Sequence, residues 1–310
     1  MAIGILYLAI FCTFSQSSLS SLHEVYRFPN GTWVENIAIR PNGNLLVALV
    51  NTPELWEITP TPSGHSAAKL VHHFDNAESV NGITELAPDT YAVIASNSVW
   101  KIDLSVMDVS KPIHIAKLPA GTLNGMATLD DDRKSVVMSD SQLGLVWHLN
   151  THTGNYTMIH KDETMAPNDE LGLLLGINGL RIMSGYLYYN NSPRRIFCRV
   201  HIDGRTGRAL GPYEIIAKDV LADDFAVRPN GVAYLAGLVD NVITQVLPNG
   251  SHEVIAGSLD SKDLMTATSA ALGKSLKSRD VLYVTTGGES KHPVNNTDTR
   301  GGKVMSLILD

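Results

Sequence analysis

The feature that most constrains this 310-residue chain is a unit written six times. The copies are "ENIAIRPNGNLLVALVNTPELWEIT" from Glu35, "NGITELAPDTYAVIASNSVWKIDL" from Asn81 and "NGMATLDDDRKSVVMSDSQLGLVWHL" from Asn124. The rest are "NGLRIMSGYLYYNNSPRRIFCRVHI" from Asn178, "DFAVRPNGVAYLAGLVDNVITQVL" from Asp224, and "SAALGKSLKSRDVLYVTTGG" from Ser269 continuing to "GGKVMSLIL". Each holds three short runs rich in Val, Ile and Tyr, separated by turns of Asn, Asp, Gly and Pro, the pattern of strands. A fourth run follows most units, as in "AAKLVHHF" and "YEIIAK". The sixth has none, but the segment near the front, "HEVYRFP", resembles "HEVIAGS" at 252–258. Four strands recurring about every 45 residues predict an all-β, six-bladed β-propeller over residues 21–310. The ring closes when the N-terminal strand joins the last blade, which removes an exposed edge. A β-sandwich would leave both the period and the displaced strand unexplained.

In such a ring the innermost strand of each blade lines a central channel, and the residue that opens it lies at the rim. Blade by blade that position reads Glu35, Asn81, Asn124, Asn178, Asp223 and Thr268. Two carboxylates, three carboxamides and a hydroxyl thus converge on one axis. Oxygen donors of this kind suit a hard divalent cation such as Ca²⁺. Asn-Gly pairs also mark turns, so part of the column has a purely local explanation. Glu35 and Asp223 precede no glycine, and turn chemistry does not account for them.

The net charge of −7, with no basic cluster, argues against nucleic acid as a partner. Residues 2–14, "AIGILYLAIFCTF", are apolar and too short to span a bilayer, which suits the core of a secretory signal over residues 1–20. The expected location is the secretory pathway or the exterior, with no membrane span after cleavage. Sequons at Asn30, Asn155, Asn190, Asn249 and Asn295 agree with that route. With Cys12 removed, Cys198 has no partner, so no disulfide holds the fold. "GHSAA" lacks the last glycine of a nucleophile elbow, and the eleven histidines show no metal-binding spacing. Asp140, at the end of a second strand, is expected to hold a neighbouring loop by hydrogen bonds.

The repeats and the Glu-Asn-Asn-Asp column resemble the regucalcin/gluconolactonase family of six-bladed propellers and, more distantly, paraoxonase and strictosidine-synthase-like propellers. The resemblance implies one divalent metal at the channel mouth held by Glu35, Asn124, Asn178 and Asp223, with Asp223 as general base in lactone hydrolysis. The stretch "VENIAIRP" departs from the Gly-Glu-Gly-Pro opening of the family's lactonases. Blade wording such as "ENIAIRPNGNLL", "LNGMATL" and "DDFAVRPNG" is closer to a fungal secondary-metabolite branch that includes hetero-Diels–Alderases. That branch implies the joining of a tropolone-derived quinone methide to a sesquiterpene olefin such as humulene.

Three functions follow as expectations. The leading one is a pericyclase needing no cofactor, with Asp223, Glu35 and Asn178 as catalytic groups. Asn81, Asn124, Thr268 and Trp100 would bind a small apolar or terpenoid substrate. A divalent-metal-dependent lactonase or esterase is the second, and a non-catalytic ligand-binding propeller the third.

Overall fold

The computed structural model describes residues 21–61, 66–106, 111–129, 133–289 and 300–309. The expected signal over residues 1–20 and the sequon at Asn295 lie outside the described residues. The first strand, β1 (Leu22–Arg27), belongs to the last blade. Blade one is β2 (Val34–Ile39), β3 (Leu45–Leu49), β4 (Glu54–Thr59) and β5 (Ala67–His73). Blade two is β6 (Val80–Ala87), β7 (Thr90–Ala95), β8 (Ser98–Asp103) and β9 (Ile113–Lys117). Blade three is β10 (Leu123–Thr128), β11 (Ser135–Asp140), β12 (Leu145–Asn150) and β13 (Tyr156–His160). Blade four is β14 (Ile177–Met183), β15 (Tyr186–Asn191), β16 (Ile196–His201) and β17 (Glu214–Lys218). Blade five is β18 (Phe225–Val227), β19 (Ala233–Ala236), β20 (Val242–Val246) and β21 (His252–Gly257). Blade six is β22 (Ala267–Leu272), β23 (Val281–Thr286), β24 (Lys303–Ile308) and β1. Every blade is an antiparallel sheet of four strands, so the six-bladed propeller expected from the repeats is the architecture observed.

Ring closure also follows the sequence reading. Strand β1 pairs antiparallel with β24, from Leu22 opposite Leu307 to Arg27 opposite Lys303. The buried Lys303 ammonium lies 3.9 Å from Glu24 of β1 and is also held by Asp263 at 3.2 Å and the Lys262 carbonyl at 3.0 Å. The apolar core is divided into six layers, one between each pair of neighbouring blades. Leu46, Leu55, Tyr91 and Ile102 lie between blades one and two, for example, and Phe28, Val34, Ile58 and Val304 between blades six and one. Stability therefore depends on apolar burial distributed around the ring. The one cysteine among the described residues, Cys198, is buried and unpaired.

Five of the six inner strands carry a register shift at their start. The shifts fall between Val34 and Asn36, Val80 and Ile83, Leu123 and Met126, Ile177 and Leu180, and Ala267 and Ser269. A bulge inserts an unpaired residue and re-aims its side chain. Glu35, Asn81, Asn124, Asn178 and Thr268 all sit within these bulges. The three Asn-Gly pairs of the column are therefore not turns: they lie inside strands β6, β10 and β14. Their glycines are required by packing instead. A Cβ on Gly82 would meet the Asn124 carbonyl oxygen at 2.4 Å, and one on Gly179 would meet Asp224 Oδ1 at 2.2 Å.

Asp140 performs the task expected of it. Its carboxylate accepts from the amides of Gly121, Thr122 and Leu143 and from Trp147 Nε1, all at 3.0–3.1 Å. The sequons divide by exposure. Asn30, Asn155 and Asn249 are exposed, whereas Asn190 is fully buried and its amide donates to the Ala222 carbonyl at 2.6 Å. Asn190 thus cannot carry a glycan in the folded protein, because no space is left at its nitrogen.

Candidate active site at the channel mouth

The bulges bring Glu35, Asn81, Asn124 and Asn178 to one end of the channel, joined by Asp223 from just before β18. Asn178 Nδ2 donates to Asp223 Oδ1 at 2.5 Å and to Ser192 Oγ at 2.9 Å. Trp33 Nε1 donates to Glu35 Oε2 at 2.5 Å. The indole ring lies against Gly287, where a Cβ would stand 2.7 Å from the ring, so only glycine admits it. Asn81 Nδ2 donates to the Leu123 carbonyl of the next blade at 2.7 Å. The Asn124 amide is half-buried and makes no hydrogen bond among the described residues.

Much of the polar capacity here is unmet. Asn81 Oδ1, Asn178 Oδ1 and Asn190 Oδ1 are buried acceptors without a donor. Buried polar atoms are nearly always partnered, so a cluster of exceptions at one place calls for a ligand. The carboxyls tell the same story. Burial pushes Glu35 up to about 7, opposed by the Trp33 hydrogen bond and assisted by the nearby charge of Asp224. Asp223 is raised well above the usual carboxylate range, first by burial, then by Glu35 and Asp224, with Asn178 opposing. Two neighbouring carboxyls resist ionising together. Both are thus shifted towards the protonated form, in which a carboxyl acts as a hydrogen-bond donor.

Two residues expected in this site stand elsewhere in role or place. Thr268 is in the ring, but its hydroxyl is used internally, donating to the Val34 carbonyl at 2.7 Å and paired with Thr285 at 2.9 Å. Trp100 is not in the channel. It lies on β8, two strands out from the axis, between Phe74 and His114 at ring distances of 5.7 and 4.8 Å. The half-buried tryptophan at the mouth is Trp33.

The sequence reading missed the floor beneath this ring. Asp224 Oδ2 accepts from Asn36 Nδ2 at 3.0 Å, Arg181 Nη2 at 2.6 Å and Ser269 Oγ at 2.9 Å, while Oδ1 accepts from the Phe225 amide at 2.8 Å. These partners come from blades one, four, five and six, so the cluster spans the channel. The pair "DD" at 223–224 was visible, but not that the two residues face different neighbours. Ser192 and Asn190, which back Asn178, gave no signal beyond a sequon.

The mouth also fits a divalent cation, in that Glu35, Asp223 and the free Asn178 oxygen supply hard donors with compensating charge. Among the described residues no cluster of three or more His, Cys, Asp or Glu forms a ligand set, and any metal here would depend on the amides.

No protein-family model matches the chain. It is 29% identical over 312 aligned positions to a Sarocladium schorii protein named "Putative hetero-Diels-Alderase asR5", covering 84% of this chain and 77% of that one. It is 28% identical over 302 positions to a Phoma sp. protein, likewise named a putative hetero-Diels-Alderase, covering 84% and 85%. The chain is a sequence relative of these two proteins. Among solved structures it superposes on Agrobacterium tumefaciens regucalcin, described as calcium-binding, with a TM-score of 0.68, 14% identity and 93% of each chain covered. A Xanthomonas campestris gluconolactonase gives 0.66 and 13%, covering 95% of this chain and 91% of that one. At such identities these structures speak for the propeller fold.

Proposed function

We propose that the protein is an enzyme catalysing a hetero-Diels–Alder-type cyclisation, with the channel mouth as its active site. The observation that carries this reading is the pair of carboxyls, half-buried Glu35 and buried Asp223, each steered by a neighbour's hydrogen bond beside unpartnered carboxamides. Its support from similarity is the name shared by the two fungal relatives. The substrates would be a quinone-methide-like, tropolone-derived heterodiene and a sesquiterpene olefin.

In this reaction a C–O and a C–C bond form together at the expense of π bonds, and nothing leaves. No nucleophile is needed. The enzyme supplies proximity, which for two bound partners is worth several kcal/mol, and a donor aimed at the oxygen where negative charge develops. The Glu35 carboxyl, steered by Trp33, and the Asp223 carboxyl, steered by Asn178, are those donors. If the quinone methide arises by loss of water from a carbinol, either acid can protonate the departing hydroxyl. The Trp33 ring provides an apolar wall for the olefin.

The unpartnered Asn oxygens favour a second reading, a divalent-metal-dependent lactonase or esterase. Glu35, Asn124, Asn178 and Asp223 would hold the ion, which when bound would polarise a carbonyl and lower the pKa of water. In that case both carboxyls would be ionised and Asp223 would serve as base. The apolar leader and the exposed sequons at Asn30, Asn155 and Asn249 support a secretory location.

The test is to incubate the purified protein with an ortho-quinone methide generated in solution and humulene, in excess chelator. Faster adduct formation than in buffer, with one enantiomer dominant, is the expected result. A racemic adduct at the buffer rate, with lactone hydrolysis restored by Ca²⁺, would replace the cyclase reading by the second.

A further inference from the structure

The channel has a second chamber, at the end away from the mouth. Glu35 and Ile39 stand at opposite ends of β2, as do Asn178 and Ile182 along β14, a separation of about 13 Å. Between the two ends the Asn36, Arg181, Asp224 and Ser269 cluster bridges the axis. Beyond it lies a cavity of about 350 Å³ lined by all six inner strands. Its wall is apolar, represented by Ile83, Ile182 and Leu272, and its rim carries Glu85, Arg133 and Lys274.

Among the described residues the charges at this rim do not balance. Arg181, deeper in, is matched by Asp224 at 2.6 Å. Lys274 from blade six reaches past blade one to Glu85 of blade two, Nζ to Oε2 at 2.5 Å. Arg133 donates to the backbone carbonyls of Leu86 at 2.9 Å and Glu85 at 3.3 Å and makes no ion pair among the described residues. Among the described residues one cation is thus in excess over the carboxylates around an apolar cavity of ligand size. The Lys274–Glu85 pair is exposed on the lysine side, where side-chain accessibility is 44%, and an ion pair of that kind exchanges readily.

We propose that this chamber binds an amphiphilic monoanion: an apolar chain or terpenoid body inside, with its carboxylate at Lys274 and Arg133. The ligand carboxylate takes Glu85's place on Lys274, and the apolar part displaces water from the six-strand wall. Glu85 is then a built-in competitor, which gives the proposal a signature that a structural ion pair lacks. The inference is independent of the chemistry at the mouth.

The experiment is calorimetric titration of the full chain with decanoate, decanol and decyltrimethylammonium, each below its micelle concentration. Saturable one-to-one binding of decanoate is expected, about 10-fold tighter than decanol, with no binding of the ammonium. Lys274→Gln should weaken decanoate about 10-fold, whereas Glu85→Gln should tighten it several-fold by freeing the lysine. Asp223→Asn at the mouth should leave the affinity unchanged, and melting curves check that each variant is folded. Absence of saturable decanoate binding overturns the proposal. So does equal affinity for decanol, failure of Glu85→Gln to tighten binding, or a loss confined to the Asp223 variant.

Discussion

Asp223 and Asp224 are consecutive and almost equally inaccessible, at 6% and 4% exposure, yet they live in opposite circumstances. Asp224 accepts four hydrogen bonds, one from a guanidinium, and knits four blades across the channel. The Asp223 carboxyl accepts from Asn178 alone and otherwise faces the carboxyl groups of Glu35 and Asp224. A buried carboxylate with a full set of donors is structural. One denied them, in a ring of amides with unused oxygens, is held in readiness for something that arrives from outside. The floor and the mouth of the channel thus separate stability from chemistry within two adjacent residues.

The largest expected effect lies in the floor. Asp224→Ala leaves the half-buried Arg181 without its anion and strips buried Asn36 and Ser269 of an acceptor, so denaturant unfolding should show a loss of about 2–4 kcal/mol. A loss under about 1 kcal/mol would erase the distinction drawn above. At the mouth the pattern reverses. Asp223→Asn should cut the cyclisation rate about 100-fold while unfolding at about pH 8 shows equal or greater stability than the wild type.

The pH dependence sharpens the same contrast. Glu35 binds its proton more tightly folded than unfolded, since its value moves from 4.5 to about 7. The native state then holds more protons between those values, and stability falls as pH rises. The Glu35 contribution is complete below about 4.5 and is lost as pH rises through about 7, and Asp223 acts in the same direction. Thermal melts from about pH 5 to about pH 8 should show a falling midpoint that Glu35→Gln with Asp223→Asn makes nearly flat. The cyclisation rate should decline over the same interval. Smaller again is Trp33→Phe, which deletes the indole donor and keeps a ring over Gly287. Because that donor favours the ionised form, its loss should move the alkaline limb of the rate profile to higher pH, at a stability cost of about 1 kcal/mol. Smallest is Trp100→Ala, whose turnover should match the wild type, since Trp100 lies outside the channel.

The repeat made the blades, their number and the closing strand legible, because strand periodicity and turn residues are local signals. It also exposed the polar column, since the six units share a frame. What the frame concealed was the direction of each side chain. A bulge at the start of an inner strand shifts the alternation by one, so Thr268 fell in the column while its hydroxyl is turned to Val34 and Thr285. The Asn-Gly pairs of the column look like turns in one dimension and are contacts between blades in three. Arg181, Asn36 and Ser269 are far apart in sequence and belong to different blades, and nothing local marks them as partners of Asp224. The chemistry of Trp100 suits a pocket wall but says nothing about its distance from the axis.

The central claim is that the mouth shifts its carboxyls towards the protonated form. Infrared difference spectra of the wild type against Glu35→Gln and Asp223→Asn, recorded from about pH 5 to about pH 8, read that state directly. A protonated-carboxyl band present at about pH 6, fading as Glu35 passes about 7 and absent from the matching variant, is the predicted result. Two fully ionised carboxylates at about pH 6 would contradict it and leave no donor at the channel mouth.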